Sequence, residues 1–216
     1  MYCGEVYGFF TKNHKNTVLT DISVVFCIKF AFRKSGDSEE FKGVIFLSGD
    51  LHCYTRLSNG SMGIEEIIAL AKSVGVETIA ITDHDCLAGT VRAKIIGERN
   101  GIKVVSGVEL SSIDSESGRE VHIICYLPEF PDRLEGLCHR NTVARKRASQ
   151  YMMLKVAQRY PVSAELMKRC ASGSTNMFPQ HIMHALMECG VAESFYGKVY
   201  DELFSPESVN NIIVKP

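Results

Sequence analysis

The sequence predicts an α/β fold built on parallel strands and followed by a run of helices. Three observations carry this. Short apolar strands alternate with helical patterns between residues 44 and 128. These strands run into acidic or histidine residues: Val44-Ile45-Phe46-Leu47 into Asp50-Leu51-His52, Thr78-Ile79-Ala80-Ile81 into Asp83-His84-Asp85, and Lys103-Val104-Val105 into Gly107-Val108-Glu109. After Pro128 the alternation stops and only helical patterns remain. Barrels of βα units converge their working groups at the carboxyl ends of parallel strands, and His and Glu meeting there suggest a metal site.

Residues 1–43 show no clean period, and Lys34-Ser35-Gly36-Asp37-Ser38-Glu39-Glu40 reads as a linker. Residues 44–128 read as βαβαββ. In the first helix, Ile64, Ile67, Ile68 and Ala71 repeat at i, i+3, i+4, i+7 along one face. Glu65 and Glu66 fall in its first turn, where they suit the helix dipole, and Gly75 is placed to end it. A second helix is expected from Thr90 to Arg99, stopped at Asn100-Gly101. Strand–helix–strand alternation requires parallel pairing through right-handed crossovers. Val121-His122-Ile123-Ile124-Cys125-Tyr126 forms a strand that carries a histidine, closed by Pro128 and Pro131. Beyond it, helices are expected over about Glu135–Tyr160, Ser163–Cys170, Pro179–Cys189 and Gly197–Phe204, with Met152, Met153, Met183 and Met187 filling a core.

Along the chain stand, in order, Asp50-Leu51-His52-Cys53-Tyr54, Thr82-Asp83-His84-Asp85, Gly107-Val108-Glu109 and Val121-His122-Ile123. This succession resembles the PHP (polymerase and histidinol phosphatase) family, from about Val44 to the end of the chain. Each motif is weak alone; the four in order carry the likeness. The resemblance implies an incomplete, distorted (β/α)7 barrel over residues 44–128. Over residues 129–216 it implies the helical insertion that covers the barrel mouth in nucleotide-acting members. Residues 1–43 fall outside it as an atypical extension. They are either a segment packed on the barrel or upstream sequence translated from a misassigned start. The second is favoured, because family members begin near Val44.

By the same resemblance the site takes divalent metal ions, of the Mn, Zn or Fe type. His52, His84, Glu109 and His122 match ligand positions, with Glu109 bridging two ions. Tyr54 stands where the family has the second histidine of H-x-H, and Asn59 where it has the aspartate of an S-D-G turn. A phenol with pKa about 10 binds only when a metal displaces its proton, and a neutral Asn carbonyl attracts a dication less than a carboxylate does. Asn59-Gly60 is expected to keep the turn, since both residues tolerate positive φ. The family's A-H-P strand end and C-terminal D-x-H do not occur after Cys125. Asp83 or Asp85 is expected to orient His84 through its second ring N–H, and these three are the candidate catalytic residues. Arg145, Lys146, Arg147 and His181 are candidate substrate contacts; Pro179-Gln180-His181-Ile182 resembles the family's P-H-I-A-R-A-L helix, with His184 at its arginine position. Taken without the motifs, His122 reads as a core histidine, and Arg140 to Arg147 as a solvated helix face.

The resemblance implies a metal-dependent phosphoesterase that hydrolyses nucleotides or short oligonucleotides by metal-activated water, without a covalent enzyme intermediate. Tyr54, Asn59 and the missing motifs support an alternative: a truncated, impaired copy with a binding or vestigial role, whose open strand edges invite self-association. Composition bounds the rest. A net charge of −1 over 216 residues argues against strong autonomous nucleic-acid binding. Eight scattered cysteines without a C-x-x-C pair favour a reducing cytoplasm. The stretch from Ile22 to Phe32 is broken by Lys29 and falls short of the roughly 20 apolar residues of a membrane span. It also lacks the flanks of a signal peptide.

Overall fold

The computed structural model describes residues 26–30 and 45–213. The linker expected at residues 34–40 lies outside them. Strand β1 (Phe26–Phe30) pairs antiparallel with β2 (Ile45–Cys53), from Phe26 opposite Gly49 to Phe30 opposite Ile45. The segment before the first motif therefore contributes a strand, which its lack of period did not announce. The sheet continues with β3 (Thr78–Ile81), β4 (Lys103–Ile113) and β5 (Glu120–Tyr126), in the order β1-β2-β3-β4-β5. The pairs β2–β3 and β3–β4 are parallel and β4–β5 antiparallel, so the sheet is a curled half-barrel with antiparallel edges.

Two helices make the parallel crossovers. Helix α1 (Ile64–Ser73) buries Ile64, Ile67, Ile68 and Ala71, the face expected from their spacing. Its start is fixed by the Glu66 carboxylate, which accepts the Gly63 N–H at 2.6 Å, and Gly75 follows its end at φ 76°. Helix α2 (Thr90–Asn100) stops at Gly101, φ 75°. The buried positions of α2 are Ala93 and Gly97, both small, and this lets the helix lie close on β4. Ile68, Ile79, Ile81, Ala93 and Ile102 share the resulting core.

The expected helices follow: α3 (Asp132–Arg159), α4 (Ala164–Cys170), α5 (Pro179–Glu188) and α6 (Lys198–Phe204). Helix α3 begins at Asp132 instead of Glu135 because Pro131, at φ −59°, already holds the helical range. Val156, Met167, Ile182, Met183, Leu186, Leu203 and Phe204 form their own core, with Met152 inside it and Met153 and Met187 against it. The helical layer is tied to β4 and to the turn that follows β2. Asn141 Nδ2 donates to the Ser111 carbonyl at 2.9 Å, and the Thr175 N–H donates to the Leu57 carbonyl at 2.9 Å. Among the described residues no helix is long and apolar enough to cross a membrane.

Gly97 tests the packing of α2. A Cβ there would lie 2.4 Å from Val104 Cγ2 and 2.7 Å from the Ile102 carbonyl oxygen. Alanine favours a helix over glycine by about 1 kcal/mol, whereas overpacking costs about 1–3 kcal/mol. Gly97→Ala is expected to destabilise the protein, read as a lower urea midpoint; a raised midpoint would show that α2 has room to move.

Candidate metal centre

The site is assembled from strand ends. In β2, Asp50 pairs with Ile79 and Cys53 with Ile81, so one extra residue is accommodated around Leu51-His52. Such bulges re-aim side chains. His52 and Tyr54, two residues apart on extended backbone, both reach Glu109. The segment after β3 is docked onto β4: the Asp85 N–H donates to the Glu109 carbonyl at 2.8 Å and the Glu109 N–H to the Asp83 carbonyl at 3.3 Å. His84 is thereby placed opposite Glu109 in a parallel bridge, with Asp85 at φ 49°. Gly107 permits this approach, since a Cβ there would lie 2.9 Å from Thr82 Cγ2. On the other side of β4, Ile124 is opposite Glu109 and His122 opposite Ser111, which puts His122 diagonal to Glu109 on the same face.

Glu109 stands at the centre. Its Oε2 lies 2.6 Å from His52 Nε2 and accepts the Tyr54 hydroxyl at 2.6 Å. Its Oε1 lies 3.2 Å from His122 Nδ1 and 3.9 Å from His84 Nδ1. Burial pushes the Glu109 carboxyl up, but hydrogen bonds from His52 and Tyr54 outweigh it and bring it down to about 2. The hydrogen bond to Glu109 raises His52. Burial, with the nearby Arg145 and His122 charges, lowers His84 to about 4, so its ring is neutral at pH 7.

These residues fit a metal ion. Donor atoms of His84, Glu109 and His122 lie within 4.8 Å of one another. Among the described residues His84 Nδ1 is buried and has no hydrogen-bond partner, which leaves a polar atom aimed at the cluster and unsatisfied. Two imidazoles and one carboxylate form a ligand set suited to Zn, Fe or Mn.

The remaining expected residues are placed differently. Neither Asp83 nor Asp85 is hydrogen-bonded to His84. Asp83 accepts the Thr55 N–H at 2.7 Å, the Thr55 hydroxyl at 2.7 Å and the Ser58 hydroxyl at 2.6 Å. Asp85 accepts the Ser111 hydroxyl at 2.8 Å and the Asn141 amide at 2.7 Å. Asn59 accepts the Ser58 hydroxyl at 3.2 Å. The Asn59-Gly60 turn is kept, but without the positive φ expected of the dipeptide. Glycine is required there because a Cβ would lie 2.4 Å from the Tyr54 carbonyl oxygen. Arg145 is turned inward: it donates to Ser111 Oγ at 2.6 Å, lies 3.6 Å from Asp85 Oδ2 and covers the Phe178 ring at 5.0 Å. Lys146 and Arg147 are exposed on α3. His181 Nδ1 accepts the Phe178 N–H at 3.1 Å and so fixes the start of α5. Phe178, whose ring stacks on His84 at 5.6 Å, was not among the expected residues. Its one sequence signal is its place immediately before Pro179.

Burial, with the His184 charge, lowers His181 to about 4 from its ordinary 6.5. The unfolded chain therefore takes up this proton first. The contribution to stability is complete above pH 6.5 and declines as pH falls toward 4. Glutamine retains an acceptor for the Phe178 N–H and does not titrate. Between pH 7.5 and 4.5, His181→Gln is expected to lose less stability than the parent, by on the order of 2 kcal/mol. Equal losses in urea titrations at the two pH values would show that His181 is not buried neutral.

Comparison with known proteins agrees with this geometry. Residues 50–188, which span all four motifs and the helices up to α5, match the PHP domain. The chain is 36% identical over 158 residues to the phosphoribosyl 1,2-cyclic phosphate 1,2-diphosphodiesterase of Eggerthella lenta, covering 72% of this chain and 60% of that protein. It is 30% identical over 149 residues to the 5'-3' exoribonuclease Rnm of Escherichia coli, covering 67% of this chain and 50% of that protein. A metal-dependent phosphoesterase structure from Bifidobacterium adolescentis superposes with a TM-score of 0.69 at 24% identity, covering 78% of this chain and 58% of that one. The chain thus spans 60% or less of these relatives' length. With His84, Glu109 and His122 brought to one point by a half-barrel sheet, and with this match across the motifs that bring them there, the chain belongs to the PHP domain family.

Proposed function

We propose that this chain is a metal-dependent phosphoesterase acting on nucleotides or short oligonucleotides. The observation that carries the reading is the unsatisfied His84 Nδ1 beside Glu109 Oε1 and His122 Nδ1. The relatives' names support the substrate class: a cyclic ribose phosphate diesterase, an exoribonuclease and, from Chromobacterium violaceum, a 3',5'-nucleoside bisphosphate phosphatase. His84, Glu109 and His122 would hold the ion, with His52 on the far oxygen of Glu109. When bound, a Mn, Zn or Fe ion supplies Lewis acidity toward a phosphoryl oxygen and activates water. The chain's own groups do the positioning. Arg145, whose buried Nε has no partner among the described residues, contributes positive charge beside His84 for a phosphoryl oxygen. Asp85 and Ser111 hold that guanidinium in place. Phe178 excludes water from one face of His84. Asp83 acts through the turn it fixes, and His181 through the start of α5, while Arg147 contributes at most a peripheral contact. The six described cysteines are free thiols, which supports a reducing compartment such as the cytoplasm.

One observation favours the impaired reading. Tyr54 and His52 close on the same oxygen of Glu109, with 2.8 Å between His52 Nε2 and the Tyr54 hydroxyl. That contact occupies the side of the carboxylate where a further ion would bind. Elemental analysis and phosphoester hydrolysis separate the two readings. Near-stoichiometric metal with metal-dependent hydrolysis of a panel of nucleoside bisphosphates, cyclic phosphates and short oligonucleotides, read by product analysis, is expected. His84→Ala and Glu109→Gln are expected to weaken metal binding more than about 100-fold, beyond what loss of a supporting residue costs. Hydrolysis that survives chelation, or a folded chain that takes up no metal, refutes the metal-dependent reading.

We also infer self-association through β5. This strand is an edge of the described sheet and exposes Val121, Ile123 and Tyr126, and an exposed apolar edge is a template for pairing. Sedimentation velocity is expected to show concentration-dependent dimers that Ile123→Lys suppresses. A monomer at all concentrations would overturn this.

A further inference from the structure

A second group of metal-ligating atoms lies away from the first, in the helical layer. Cys170 ends α4, and His184 and Glu188 stand four apart on α5, a spacing that puts both on one helix face. Cys170 Sγ lies 3.6 Å and His184 Nε2 3.5 Å from the same atom, Glu188 Oε1. The other oxygen, Oε2, lies 2.9 Å from the Arg169 guanidinium. Arg169 therefore anchors the carboxylate through one oxygen and leaves the second to the thiol and the imidazole. All three donor atoms lie within 4.8 Å of one another.

These separations match an ion's needs. Around a tetrahedral zinc with bonds of about 2.0–2.3 Å, neighbouring ligand atoms stand about 3.3–3.8 Å apart. The two helices that carry the donors share one core through Met167, Ile182 and Leu186, so the donors are held on rigid elements. His184 is half exposed, which gives an ion access from solvent. A thiolate, an imidazole and a carboxylate select borderline ions such as Zn(II) and disfavour Mg(II) and Ca(II), which take oxygen ligands.

We propose that Cys170, His184 and Glu188 form a second metal site, for a zinc-type divalent ion, with a fourth position open to solvent. Binding releases the Cys170 thiol proton to water and links α4 to α5 through the metal. The proposal is independent of the phosphoesterase reading, because the first centre has no cysteine among its ligands.

Cobalt(II), added to the full chain, is the probe. Thiolate coordination produces a sulfur-to-cobalt charge-transfer band in the near ultraviolet that histidine and carboxylate ligands do not. The expected result is such a band, displaced by excess zinc, lost in Cys170→Ser and weakened at least tenfold in apparent affinity in Glu188→Gln. His122→Ala is expected to retain it. Circular dichroism establishes that each variant is folded, and Glu188→Gln supplies the test if Cys170→Ser is not. Absence of the band, its persistence in folded Cys170→Ser, unchanged affinity in Glu188→Gln, or its abolition by His122→Ala would overturn the proposal.

Discussion

Burying a carboxylate away from water costs several kcal/mol unless its oxygens are hydrogen-bonded. Asp83, at 1% exposure, meets that demand from one short turn. Burial raises its pKa, and the hydroxyls of Ser58 and Thr55, with the Thr55 N–H, work in the opposite direction. Each hydrogen bond to a charged group contributes about 1.5–3 kcal/mol. The turn at residues 55–60 is thus held to the end of β3. Through the Asp83 carbonyl, the same residue receives the Glu109 N–H from β4. The turn then presents its own carbonyls to the helical layer, where the Ser174 hydroxyl donates to Ser58 at 2.7 Å and the Thr175 N–H to Leu57 at 2.9 Å. One buried charge therefore sets the relative positions of β2, β3, β4 and the loop that leads to Phe178.

That frame determines how Glu109 is used. Its carboxylate is addressed by three strand ends at once, and its two oxygens face different environments. On Oε2, His52 and Tyr54 supply close hydrogen-bond partners; on Oε1, His122 and the unsatisfied His84 stand farther off. The Tyr54 ring also stacks on His84, with centroids 4.9 Å apart and planes 15° apart. The residue that departs from the family's histidine is therefore built into the wall of the site. It stacks on the ring of His84 and donates its hydroxyl to one oxygen of Glu109.

The elements that strict periodicity supports were legible in the sequence. The apolar face of α1, the glycine stop of α2 and the four helices after Pro131 rest on local rules, and each falls within three residues of where those rules put it. The convergence of His52, His84, Glu109 and His122 was legible through motif order. The roles of Asp83 and Asp85 were not, because a carboxylate beside a histidine in sequence is read as its partner. The backbone here, with Asp85 at φ 49°, gives each acid a separate set of donors. Arg145 and Arg147 could not be told apart in a basic run, although helix phase turns one toward Asp85 and leaves the other in solvent. Phe178 escaped notice because stacking across two layers leaves no local pattern.

The span of these contacts bears on how the chain folds. His52 and Glu109 are separated by 57 residues and Thr175 and Leu57 by 118, whereas the helical layer closes largely on itself. Contacts of high sequence separation form against a large loop entropy and come late. The helical core draws on residues 152–212 alone, while the cluster around Glu109 needs β2, β4, β5 and the segment after β3 assembled together. A ligand that binds only the assembled form stabilises it by about 2.7 kcal/mol at a hundred times its dissociation constant. A metal ion at this point would act as a latch on the final step of folding, independently of any chemistry it performs.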